Sequence, residues 1–166
     1  MRNSGRTVGT GAYEGKGFDE VLMMFHWRAA TPADIGFARR LTCTNMLAYY
    51  LHHELLWQDE AFDLGWAIRQ NQIICRGDQA VGFVSFSRDA RALYIRELQI
   101  DRAFRGQGAG TWAIGQAWEM VAQERRPALR LTVFNDNPAR ALYERLGLQV
   151  VGEDECFLRM QRDAGG

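Results

Sequence analysis

Lysine is almost missing from this chain of 166 residues: Lys16 is the only one, so nearly all the positive charge is arginine. Outside the N-terminal stretch this excludes a Schiff-base lysine and the lysine of a Walker phosphate loop. Net charge is missing as well. Twenty basic and twenty acidic residues cancel, so no general attraction to nucleic acid or to an anionic membrane is expected. No apolar run reaches the roughly 18 residues of a membrane span. Cys43, Cys75 and Cys156 are odd in number and far apart, without a C-x-x-C pair, and no secretory leader is visible. Free thiols in a reducing cytoplasm are the expectation. Metal-ligand spacing is absent too. "HHELLW" at 52–57 begins like H-E-x-x-H but has Trp57 where the second histidine belongs, so no metal is expected. No G-x-S-x-G supports a serine hydrolase.

Residues 1–22, "MRNSGRTVGTGAYEGKGFDEVL", are glycine-rich with no apolar period. They read as a flexible N-terminal extension, a candidate to pack across a homodimer. Residues 23–162 carry regular patterning and are expected to form one domain. "MFHW" suits a first strand. "TPAD" opens a helix, with Thr31 as N-cap, Pro32 in the first turn and Asp34 near its positive end. Helical texture continues, with breaks, to about Arg69. Tyr49, Tyr50, Trp57, Phe62 and Trp66 lie in that stretch as core or as the border of a site, and His52, His53, Glu54 and Asp59 are polar neighbours there.

"QIICRGD" and "QAVGFVSFS" read as two strands joined by a tight turn at Gly77-Asp78. In "ALYIRELQID" the apolar residues change phase: Leu93 and Ile95 are odd, Leu98 and Ile100 even. Alternate residues of a regular strand share a face, so the change predicts a β-bulge near Arg96-Glu97. Ile114, Ala117, Trp118 and Val121 then mark an amphipathic helix. "ALRLTVF" is a strand. "NPARALYERLG" is a short helix with Asn137 as N-cap, Pro138 at its start and Gly147 just past its end. "LQVVGE" and "CFLRM" are two closing strands. The order is β-α-α-β-β-β-α-β-α-β-β, a mixed α/β (α+β) fold.

Between the bulged strand and the amphipathic helix stands "RGQGAG", residues 105–110. A Walker loop would need a lysine that is not there. "GAGTWA" fits G-x-G-x-x-A, but the acidic residue of a dinucleotide site should follow about 20 positions on, and "TVFND" comes too late. The remaining functional reading is a glycine-rich turn into a helix whose free N–H groups hold a pyrophosphate. From Gly106 to Trp118 there is no acidic residue, which leaves the positive helix end for an outside anion. A glycine-rich connection that is merely tightly packed is the alternative.

"RGQGAG" resembles the R/Q-x-x-G-x-G/A loop of the GNAT superfamily of acyl-CoA-dependent N-acetyltransferases. "NPARALYERLGL" is similar to that superfamily's N-P-A-x-x-L-Y-x-x-L-G-F motif, with Leu148 in place of the usual aromatic. The resemblance covers residues 24–160. It implies a mostly antiparallel central sheet of about seven strands flanked by about four helices, with a splayed, bulged strand before the CoA loop. It also implies acetyl-CoA as cosubstrate. Main-chain groups around Leu98, Gln99 and Ile100 would pair with pantetheine. Arg105, Gly106, Gln107, Gly108, Ala109, Gly110 and Thr111 would hold the pyrophosphate, and Asn137 would lie near the pantetheine arm. Tyr143 matches the motif tyrosine that acts as general acid at the thioester sulfur, and Glu97, beside the expected bulge, is the candidate base. The activity implied is acetyl transfer to a primary amine, in a small molecule or a peptide, by direct attack in a ternary complex. A non-catalytic acyl-CoA-binding or sensor module on the same fold is the other reading.

Overall fold

The computed structural model describes residues 24–165; the expected extension, residues 1–22, lies outside the described residues. The chain runs β1 (Phe25–Ala29), α1 (Ile35–His52), α2 (Asp59–Ile68), β2 (Gln70–Arg76), β3 (Gln79–Arg88), β4 (Leu93–Ile100), α3 (Ala109–Gln123), β5 (Ala128–Phe134), α4 (Ala139–Arg145), β6 (Gln149–Asp154) and β7 (Phe157–Asp163). The seven strands form one sheet in the order β1-β2-β3-β4-β5-β7-β6. Every neighbouring pair is antiparallel except β4 and β5. The mixed sheet and four flanking helices match the expected architecture. Among the described residues, no helix is long and apolar enough to cross a membrane.

The phase change in β4 has the expected cause. Ser85 of β3 faces Glu97 while Phe86 faces Ile95, which leaves Arg96 as the extra residue of a bulge. Leu93, Ile95, Leu98 and Ile100 therefore all pack against the same apolar cluster. The bulge also ends the pairing with β5. Only Leu93↔Leu129, Tyr94↔Arg130 and Ile95↔Leu131 are matched. Beyond Ile95 the two parallel strands part, and their facing edges carry no strand partner in each other.

Helices cover both faces. On one, α3 buries Ala109, Ala113, Ile114, Ala117 and Val121 against the larger core cluster. Alanines at the contact let the helix sit close to the sheet, and Ile114 and Val121 each contribute about 1.5–3 kcal/mol of burial. On the other face Ala38 and Leu41 of α1 meet Ile73, Cys75 and Phe83. Cys43, Cys75 and Cys156 are all free thiols.

Two helix starts differ in detail from the sequence reading. Thr31 and Pro32 introduce a separate 3-10 turn, Pro32–Asp34, and α1 begins only at Ile35. Asp34 accepts the Thr31 N–H at 2.8 Å and both terminal nitrogens of Arg28 at 2.8 and 2.9 Å. The Arg28 guanidinium holds its carboxyl down at about 2. Similarly, α4 starts at Ala139 rather than at Pro138. Asn137 still caps it, because its Oδ1 accepts the Ala139 N–H at 2.9 Å. Gly147 has φ +91°. The Gly147 N–H donates to Glu144 and the Leu148 N–H to Tyr143, the Schellman closure that orients the tyrosine-bearing turn.

Candidate active site

Where β4 and β5 part, the molecule opens a cleft of about 740 Å³, well within the range of small-molecule sites. The unpaired half of β4 forms one wall, the end of β5 and α4 the other, and the glycine loop one end. α1 closes the back through Asn45, Tyr49 and Tyr50.

The loop end leaves a helix start uncapped. Gly108 is the N-cap of α3 at φ +89°, a left-handed conformation that other residues enter at a cost. No side chain caps that helix, and its first turn holds no acid. The first N–H groups are thus left without intrahelical partners at the positive end of a helix dipole. Arg105 is exposed at the cleft and, among the described residues, makes no ion pair. Gly106, Gly108, Ala109, Gly110 and Thr111 border the cleft. Gln107 does not: its side chain turns away and accepts a 2.5 Å hydrogen bond from Arg76. The free N–H groups and the acid-free first turn are chemically suited to a pyrophosphate.

Glu97 sits on the β4 wall immediately after the bulge residue. Burial pushes its carboxyl up, against the Gln99 hydrogen bond and the Arg69 charge, which pull it down. Gln99 donates to Glu97 Oε2 at 3.0 Å and accepts from Asn45 Nδ2 at 3.1 Å. Asn45 also donates to the Ile100 carbonyl at 3.1 Å, so one acceptor of the main-chain stretch expected to meet pantetheine is already engaged. Leu98, Gln99 and Ile100 all line the cleft.

Tyr143 projects from α4 into the same cleft. Burial, and after it the Glu97 charge, pushes its phenol up to about 12. It is therefore a neutral O–H donor at any ordinary pH. Among the described residues nothing hydrogen-bonds that hydroxyl. Asn137 also borders the cleft while it caps α4. The sequence-predicted residues thus converge on one place, with Gln107 contributing no side chain.

Sequence reasoning missed Asn45, which stands among Thr42, Cys43 and Thr44 in a helix of mixed polarity with no motif around it. It also left the aromatic group undivided. Tyr49 stacks on Phe134 at 5.5 Å and lines the cleft with Tyr50, whereas Phe62 and Trp66 pack on Phe83 in the core. His52 and His53 are drawn to a residue remote in sequence, Asp136, whose carboxylate lies 2.9 Å from His53 Nε2. One nitrogen or oxygen atom of each of His52, His53 and Asp136 lies within 4.8 Å of the other two. Asp59 is occupied by the Trp57 indole at 2.8 Å.

A sheet that opens at a bulge, beside a helix start left free for a diphosphate, is the architecture of acyl-CoA-dependent acetyltransferases. The chain belongs to the Acetyltransferase (GNAT) family, whose model matches residues 37–148. Among solved structures it resembles the PaiA N-acetyltransferase of Thermoplasma acidophilum, determined in complex with coenzyme A. The TM-score is 0.67 at 12% identity, over 84% of this chain and 98% of that one. The ribosomal-protein-S18-alanine N-acetyltransferase of Escherichia coli gives 0.67 at 16% identity, over 84% and 94%. An acetyltransferase from Thermus thermophilus gives 0.68 at 18% identity, over 86% and 98%. At these identities the likeness is one of fold.

Proposed function

We propose that this protein transfers the acetyl group of acetyl-CoA to a primary amine by direct attack within a ternary complex. The observation that carries the reading is that a carboxylate and a neutral phenol, Glu97 and Tyr143, face one cleft whose end is an uncapped helix start. Acetyl-CoA supplies the activated acyl group and a thiolate leaving group. The glycine loop and the start of α3 hold the diphosphate, and the free edge of β4 orients the arm toward the point where the strands part.

An amine arrives largely as ammonium, and only its free form is nucleophilic. Glu97 is placed to take that proton. Burial raises its pKa and makes it a stronger base than an exposed carboxylate, while the Gln99 hydrogen bond and the Arg69 charge act in favour of the ionised form. Tyr143 donates its phenolic hydrogen to the sulfur as the thiolate departs. The covalent path through a cysteine is not used. Cys75 is buried, and neither it nor Cys43 nor Cys156 lines the cleft.

The test is turnover of acetyl-CoA with a broad panel of primary amines, read by thiol release, alongside calorimetric CoA binding. Transfer to at least one amine, lost with Glu97→Gln and slowed with Tyr143→Phe, is the expected outcome. CoA binding without transfer to any amine would favour the sensor module instead.

A further inference from the structure

We propose that the amine acceptor is anionic, bearing carboxylate or phosphate groups that are held by an arginine-lined cavity opening off the cleft where β4 and β5 part. The cavity measures about 610 Å³, and Arg69, Arg91, Arg96, Arg130 and Arg159 line it together with Tyr94; no Asp or Glu does. Ile95, Arg96, Leu131 and Thr132 line both this cavity and the cleft. These are the residues at which strand pairing ends. A molecule seated among the arginines therefore reaches the gap through which Glu97 and Tyr143 are approached. Arg69 lies within electrostatic reach of both Glu97 and Arg96, which places it at the junction.

The charge is compensated only in part within the fold: Arg69 feels the Glu97 carboxylate and Arg130 that of Asp89. Arg159 pairs with Asp154 at 2.7 Å. Among the described residues, Arg69, Arg91, Arg96 and Arg130 make no ion pair. The hydrogen-bond partners of Arg96 and Arg130 are neutral. Arg96 donates to Ser87 Oγ at 2.7 Å and lies 4.3 Å above the Tyr94 ring. Arg130 donates to Gln161 Oε1 at 2.5 Å and to the Tyr94 hydroxyl at 3.3 Å. The Tyr94 hydroxyl in turn donates to Asp89 at 2.8 Å, and that carboxylate also accepts the Arg91 and Ala92 N–H groups of its own turn. Guanidinium groups gathered in one concavity repel one another. They are kept there by neutral hydrogen bonds and an aromatic face, with donor edges to spare. Such forks match carboxylate and phosphate oxygens bidentately.

The chemistry of transfer rests on the function proposed above; the anion site does not. The experiment uses four matched peptides with a free N-terminal alanine followed by two glutamates, two glutamines, two lysines, or a phosphoserine and a glutamine. Thiol-release kinetics and calorimetry on the CoA-loaded protein are run on each. The glutamate and phosphoserine peptides should exceed the glutamine peptide by about tenfold or more in kcat/KM, mainly through KM, and bind correspondingly tighter. Comparing those two peptides tells carboxylate from phosphate preference. In the folded Arg91→Gln/Arg130→Gln variant the preference should collapse, with the glutamine peptide's kcat and CoA affinity unchanged. Equal or better use of the glutamine or lysine peptide, or a preference that survives the double substitution, overturns the proposal. If no peptide is acetylated although CoA binds, the broad amine panel decides the transferase reading and the calorimetry alone decides the anion site. Tighter glutamate-peptide binding that the double variant loses upholds it, and any other binding result removes it.

Discussion

Gln99 and Glu97 stand on the same face of β4, and the Gln99 amide donates to the Glu97 carboxylate over 3.0 Å. The amide is itself steadied by Asn45 from α1. This bond favours the ionised carboxylate, whereas burial disfavours it more strongly. Gln99→Leu removes the favourable part and leaves the burial, so the Glu97 pKa should rise further. If Glu97 is the base, the acidic limb of the kcat/KM profile should move to higher pH. The shift should be the same for acceptors of different amine pKa, because it belongs to the enzyme. A limb that stays in place would assign it to the acceptor alone.

The raised Glu97 pKa also fixes the sign of a stability effect. Its folded-state pKa lies above the unfolded value, so ionising it in the native protein is unfavourable. Stability is complete below the unfolded carboxylate range and falls as pH rises through the folded pKa. Glu97→Gln keeps an acceptor for Gln99 and removes the charge. We expect a higher melting temperature than wild type at pH 7, together with lost transfer activity, and a difference that closes as pH is lowered. A melting temperature below wild type at pH 7 would show that the carboxylate has a stabilising partner.

Much of this fold was legible because its punctuation is local. The Gly77-Asp78 turn, the amphipathic face of α3 and the Asn137–Gly147 bracket around α4 each depend on residues within a few positions of one another. The bulge was readable because a phase error in four apolar residues has few other physical causes. What was not legible depends on long-range pairing. The Asn45 amide meets β4 only after α1 docks on the sheet, and Asp136 meets His53 across 83 residues. The five arginines of the second cavity come from β4, β5, β7, the C-terminal end of α2 and the turn between β3 and β4. In sequence they are scattered members of an arginine-rich composition.

Gly108 tests the anion end of the cleft. Its φ of +89° disfavours any side chain, yet a Cβ there would meet nothing within 4 Å. Gly108→Val should therefore cost stability only through backbone strain, roughly 1–2 kcal/mol, while the loop leaves its left-handed turn. CoA affinity, measured by calorimetry, should fall below detection. Gly108→Asn, which enters that conformation more readily, should retain part of it. A folded valine variant with wild-type CoA affinity would mean that the loop does not hold the diphosphate.

Tyr143 carries the departing side of the proposed reaction. Its phenol is pushed up to about 12 by burial and by the Glu97 charge, so it arrives at the sulfur fully protonated. Among the described residues it has no hydrogen-bond partner to release first. General acid assistance is worth roughly 10²–10⁴-fold, but a thiolate already leaves tolerably well, so the gain should lie at or below the lower end. Tyr143→Phe preserves the ring that packs against the core beside Leu148 and deletes only the hydroxyl. We expect kcat to fall about tenfold or more, with CoA affinity and melting temperature close to wild type. The loss should be largest with strongly nucleophilic amines, where expulsion of the thiolate rather than attack limits the rate. If kcat in the phenylalanine variant equals wild type with an efficient acceptor, the tyrosine serves packing alone and the proton reaches sulfur from water.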